Sequence, residues 1–135
     1  MKIRSYIPQD YDKIRNIFER CGIYRTEIDG EDNINLKIKH SPDSIIVAEE
    51  NKSLIGTVFI IFDPWLSLIY HLAVDPDYQH KGIGTKLMSE AELRLKNKGA
   101  RKIVIYVEKK NKNAINFYKK RNWSLVGESL IFAKI

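Results

Sequence analysis

At 135 residues, the chain has room for one compact domain with its own core and too little length for two. Apolar residues make up 44% and charged residues 30%, the balance of a globular protein, and no low-complexity linker or internal repeat divides it. The 23 basic and 17 acidic residues leave a net charge of +6, which favours anionic partners without naming one, and the lone Cys21 excludes an internal disulfide or a cysteine-based metal site.

The first segment, Ile3 to Ile7, reads as a short strand stopped by Pro8. From Asp10 onward, Ile14, Ile17, Phe18 and Cys21 recur at three- and four-residue steps and predict a helix that Gly22 closes, with Cys21 as a packing residue. The stretch from Ile23 to Gly30 is polar and irregular, and loops of this kind on a rigid scaffold often carry specificity. Ile34 and Ile38, four apart, predict a second helix over 31–40.

Two β-branched runs, 44–50 and 53–62, are separated by Asn51-Lys52, a pair suited to a hairpin turn. The apolar window from Leu54 to Val74 is long enough to span a bilayer, but Asp63 and Pro64 break it into two strands, and the N-terminus lacks the apolar stretch of a signal peptide. A cytoplasmic location is the resulting expectation. The near-continuous apolarity of 66–74 predicts a central strand buried on both faces.

The loop after it, Asp75-Pro76-Asp77-Tyr78-Gln79-His80-Lys81-Gly82-Ile83-Gly84, leads into a helix with Ile83, Leu87, Ala91 and Leu95 at steps of four, ended by Gly99. Glycines 82 and 84 remove Cβ atoms where a strand hands over to a helix, and the first helical turn leaves amides unpaired: together a place for an anion. The dinucleotide fingerprint would need glycine at position 87, which is Leu87, and no Walker sequence is present. Beyond it, 102–107 predicts another strand, 111–121 a helix with Ala114, Phe117 and Tyr118 on one side, and 124–135 a closing strand or hairpin. Strands and helices interleave throughout, which is the α/β or α+β class.

The segment Leu72-Ala73-Val74-Asp75-Pro76-Asp77-Tyr78-Gln79-His80-Lys81-Gly82-Ile83-Gly84 resembles the acetyl-coenzyme A signature of the GNAT-superfamily N-acetyltransferases, and Asn111-Lys112-Asn113-Ala114-Ile115-Asn116-Phe117-Tyr118 resembles the segment of that family's last helix. The N-terminal half is similar to the small microbial YpeA-like branch. The resemblance implies a single domain over 1–135, with a mixed, mostly antiparallel sheet of roughly six or seven strands flanked by about four helices. It implies acetyl-coenzyme A as cosubstrate, no metal, an amine acceptor and a possible homodimer. It assigns Gln79, Lys81, Gly82, Ile83, Gly84 and Thr85 to the diphosphate, Leu72 and Val74 to the pantetheine arm, Val74 N–H to the thioester oxygen, Asn111 to the cofactor arm and Tyr118 to the departing thiolate.

Arg25, Glu27 and Asp29 lie in the loop expected to border the acceptor. The general base stays open: Tyr70 and Leu68 occupy the registers where relatives carry a carboxylate or histidine, and alternation turns His71 to the opposite face unless a bulge intervenes. Glu49 and Glu108 are other options. The competing readings are an acyl-coenzyme A sensor without turnover and a basic nucleic-acid-binding module, for which no recognition motif is present.

Overall fold

The computed structural model describes residues 1–135, which fall into two compact units, Met1–Ile105 and Tyr106–Ile135. The first unit contains β1 (Lys2–Ser5), α1 (Tyr11–Arg20), α2 (Glu31–His40), β2 (Ile45–Glu50), β3 (Ser53–Ile61), β4 (Ser67–Val74), α3 (Ile83–Lys98) and β5 (Ile103–Ile105). The second contains α4 (Lys112–Lys120). The five strands form one sheet in sequence order, antiparallel except for the parallel β4–β5 pair. The mixed α/β class, the four helices and the mostly antiparallel sheet match the expectation; the strand count is lower.

Local chemistry explains most of the element ends. Asn51 and Lys52 take positive φ values of 51° and 66°, the conformation of a tight turn whose twist matches its flanking strands, and they join β2 to β3. Gly99, at φ 99°, ends α3 and donates its N–H to the Lys96 carbonyl. Arg4 fixes the start of the chain, bonding Asp10 at 2.8 and 3.0 Å and Glu49 at 2.9 Å.

Both faces of the sheet are covered. On one, Ile14, Ile17 and Phe18 of α1 and Ile34 of α2 pack with Ile45, Val47, Leu54 and Phe59. Each such side chain contributes about 1.5–3 kcal/mol of burial free energy. On the other, α3 buries Ile83, Leu87, Met88, Ala91 and Leu95. Gly56 of β3 lets that helix approach: a Cβ built there would lie 2.9 Å from Leu87 Cδ1 and 3.2 Å from the Ala73 carbonyl oxygen. Gly56→Ala is therefore expected to cost about 1–3 kcal/mol in urea denaturation, the usual penalty of overpacking. An unchanged midpoint would show that α3 shifts without cost.

Two expectations need correction. The predicted strand or hairpin over 124–135 forms no ladder, and Leu125, Val126, Leu130, Ile131 and Phe132 are exposed. An apolar β-branched run reads as a strand, but a strand exists only with an edge to pair with, which local pattern does not specify. The second concerns β4, which is interior to the sheet but only partly buried, because its pairing with β5 stops at Ile69 while the strand runs on to Val74. The β3–β4 ladder also slips: Thr57 pairs with Ala73 and Phe59 with Tyr70, so Val58 faces both His71 and Leu72. His71 takes the strain, at φ 53°.

Candidate active site

The end of β4 presents polar backbone toward the side that β5 has left. Asp75 N–H donates to the Ile55 carbonyl at 2.8 Å, which makes Gly56 and Val74 a non-hydrogen-bonded pair. Val74 N–H and C=O therefore point away from β3. The carbonyl accepts from Gln79 Nε2 at 3.0 Å and from Cys21 Sγ at 3.3 Å, while the N–H faces the unpaired side. Burial raises the Cys21 thiol pKa, which suits its place as a half-buried donor to that carbonyl.

Arg20 of α1 holds the loop that follows. Its Nη1 reaches both oxygens of Asp75 at 2.8 Å and its Nη2 reaches Asp77 at 3.2 Å. The Asp75 carboxylate also accepts Asp77 N–H at 2.9 Å, tightening the turn. The chain then passes through His80 at φ 65° and Gly82 at φ 83° before α3 begins. A Cβ at Gly82 would meet open space, so glycine is required there by the left-handed backbone rather than by contact with another residue. Lys86 N–H makes the bond back to the Gly82 carbonyl, at 3.2 Å. The amides of Ile83 and Gly84 precede that bond and have no carbonyl one turn back in the helix. Exposed Lys81 and Lys86 add positive charge beside them. This cradle suits a phosphate group.

A cavity of about 360 Å³ opens between α2 and the β3–β4 ladder, lined by apolar residues with Asp29, Lys37 and His71 among them. The bulge turns His71 into it. His71 Nε2 lies 2.9 and 3.1 Å from the two oxygens of Asp29, and the imidazole packs 4.9 Å from the Phe18 ring and 5.2 Å from the Phe59 ring. A carboxylate acceptor places the hydrogen on Nε2 and leaves Nδ1 able to take a proton.

Asp29 is only 2% exposed and is fixed from several sides: its carboxylate accepts Arg25 N–H at 2.9 Å, and its carbonyl accepts the Tyr11 hydroxyl at 2.8 Å. Lys37 Nζ donates to the Ile60 carbonyl at 2.8 Å and sits 5.7 Å from the Phe59 centroid. Burial, with no compensating carboxylate, pushes its ammonium down to about 8.

In the second unit, Tyr118 packs edge-on against Phe117 and Trp123, with centroids at 5.2 and 6.3 Å. Desolvation raises its phenol to about 12, so it holds its proton at neutral pH. Asn111 caps α4, its Oδ1 accepting Ala114 N–H at 3.1 Å. Its Nδ2 is the end of the amide left for another contact.

Comparison with known proteins decides what this geometry belongs to. The sequence profile of the acetyltransferase (GNAT) family matches residues 11–123. An acetyltransferase of Pectobacterium atrosepticum is 33% identical over 126 residues, covering 93% of this chain and 89% of that protein. The chain belongs to the GNAT acetyltransferases. Solved structures share the fold of this acetyltransferase. Ard1 from Thermoplasma volcanium has a TM-score of 0.83 at 21% identity, covering 93% of this chain and 84% of that one. The PaiA N-acetyltransferase from Thermoplasma acidophilum, solved in complex with coenzyme A, has a TM-score of 0.76 at 24% identity, covering 89% and 87%.

The expected site residues of this N-acetyltransferase fall into three places. Leu72, Val74, Gln79, Lys81, Gly82, Ile83, Gly84 and Thr85 lie along one continuous run from the β4 bulge to the first turn of α3. Asp29 lines the cavity; Arg25 and Glu27, on the exposed part of the same loop, do not. Asn111 and Tyr118 lie on α4. Glu49 is held by Arg4.

Lys37, Phe59 and the partnered state of His71 escape a reading of the sequence. One signal was available: Lys37 stands three residues after buried Ile34 and one before Ile38, a charge on the apolar side of α2. No helix of the acetyltransferase is long and apolar enough to cross a membrane.

Proposed function

We propose that this chain moves an acetyl group from acetyl-coenzyme A to a primary amine of a small molecule or protein, by direct attack of the amine on the thioester. The observation that carries this reading is the unpaired end of β4: Val74 N–H faces the side β5 has left, directly upstream of a helix that opens on a left-handed glycine. Those residues fit the group. The amides of Ile83 and Gly84, with Gln79, Lys81 and Thr85 around them, would hold the diphosphate; Leu72 and Val74 would pair with the pantetheine arm, to which the family resemblance also assigns Asn111. Bound there, the thioester supplies an activated acyl carbon.

His71 takes one proton from the acceptor's ammonium form, with Asp29 holding the imidazole tautomer, and the lone pair of the resulting neutral amine attacks the carbonyl carbon. Val74 N–H steadies the negative charge that develops on the carbonyl oxygen. The C–N bond forms, the nitrogen sheds its second proton to solvent, and the C–S bond breaks; the family resemblance gives Tyr118 the role of providing a proton for the departing thiolate, which the phenol regains from solvent. Arg25 and Glu27, beside Ile28 and Asp29 in sequence, would meet the outer part of the acceptor. The family match across both compact units supports treating 1–135 as one acetyltransferase domain.

The reading is tested by thiol release from acetyl-coenzyme A when amines are added, with no release from any amine as the contrary result. Tyr118→Phe is expected to lower turnover by roughly 10-fold or more with little change in coenzyme A affinity, within the range of general-acid effects. Equal turnover would remove Tyr118 from the acid role.

A further inference from the structure

We propose that the cavity between α2 and β4 selects an acceptor bearing a carboxylate as well as an amine, a free amino acid with an apolar side chain, and that Lys37 is the residue that recognises the carboxylate. The inference rests on reading this cavity as the acceptor side of the acetyltransferase. Three observations carry it.

The first is the lysine's position. Lys37 Nζ makes one bond, to the Ile60 carbonyl at 2.8 Å, and lies 5.7 Å from the Phe59 centroid; it makes no ion pair with a carboxylate. An ammonium has three donors, so two remain for a ligand. A cation desolvated in an apolar wall costs stability unless something bound there repays it; burial holds this one down to about 8, and a bound carboxylate would raise it again.

The second is the distribution of charge. Asp29, the cavity's carboxylate, is already engaged by His71 and by Arg25 N–H, so it does not neutralise Lys37. The His71 ring lies 5.2 Å and Lys37 Nζ 5.7 Å from the Phe59 centroid, and all three residues line the cavity. The cavity wall therefore holds both an imidazole backed by a carboxylate and a cation that this carboxylate does not pair with. A zwitterion fits this in one direction: ammonium toward His71 and Asp29, carboxylate toward Lys37. A diamine or polyamine would put its second cation against Lys37.

The third is size and lining. The cavity encloses about 360 Å³, the small end of ligand sites, and Ile28, Ile34, Phe59 and Ile61 supply apolar surface for a side chain.

The test uses the full chain with saturating coenzyme A. L-Leucine, L-methionine and L-phenylalanine, their carboxamides, and phenethylamine are titrated by calorimetry, and acetyl transfer to each is followed separately. The free amino acids are expected to bind at least tenfold tighter than their amides. Lys37→Met should erase that preference with coenzyme A affinity intact, and Lys37→Arg should retain it.

Equal binding of acid and amide, a preference that survives Lys37→Met, or no binding of any of these compounds would overturn the inference. Transfer to phenethylamine as fast as to phenylalanine would also overturn it while leaving the acetyltransferase reading standing. Carboxylate-selective binding without transfer to any amine would uphold the Lys37 site and reject the reaction.

Discussion

Replacing Gly82 with aspartate is expected to weaken coenzyme A binding by at least roughly 100-fold, about 2.8 kcal/mol, in calorimetric titration. Gly82 stands at φ 83° immediately before α3, and a side chain there would enter open space. The change meets no clash but strains a left-handed backbone that suits glycine, a cost moderated because aspartate visits that region more readily than most residues and a carboxylate at a helix N-terminus is favoured by the dipole. For the same reason the new carboxylate would occupy the position offered to a phosphate, and its charge would repel one. Gly82→Asn separates the two effects, since it adds similar bulk without charge and should lose far less affinity. Equal, unimpaired affinity in both variants would mean that the nucleotide's diphosphate lies elsewhere.

The second large effect is expected at the histidine pair. His71→Gln should lower kcat by about 10²–10⁴-fold, the range for removal of a general base, with coenzyme A affinity unchanged. Asp29→Asn should give a smaller loss of kcat, because the amide still accepts from Arg25 N–H but no longer fixes the imidazole tautomer. Asp29 is buried, so the substitution also carries a stability cost of about 1–3 kcal/mol, which thermal unfolding would register separately from turnover. A histidine that only packs between Phe18 and Phe59 would give a different result: lower stability in both variants, with kcat preserved in the folded fraction.

What could be read from the sequence, and what could not, follows from the range of the interactions involved. The hairpin at Asn51-Lys52, the Gly99 stop and the span of α2 depend on residues within a few positions of one another, and they were legible. So was the strand-to-helix turn between Leu72 and Thr85 that opens on a left-handed glycine, because such a turn is built from consecutive backbone. The bulge at His71 was not. It arises from a slip between β3 and β4, a property of two strands together, and it decides whether the histidine joins Asp29 or turns away.

The cavity beside α2 was hidden for a similar reason: Asp29, Lys37, Phe59 and His71 come from four separate segments. At the C-terminus the failure ran the other way. Leu130, Ile131 and Phe132 have the local composition of a strand, yet these residues have no ladder partner and remain exposed.

A titration of the isotope-labelled protein with coenzyme A, followed by amide resonances, tests most directly whether the unpaired end of β4 and the opening of α3 form the cofactor site. Saturable shifts are expected at Val74 and at Gln79, Gly82, Ile83, Gly84 and Thr85, with little change at Asn51 and Lys52 on the far hairpin. Binding that leaves Val74 and the first turn of α3 undisturbed, or no binding at millimolar coenzyme A, would contradict it.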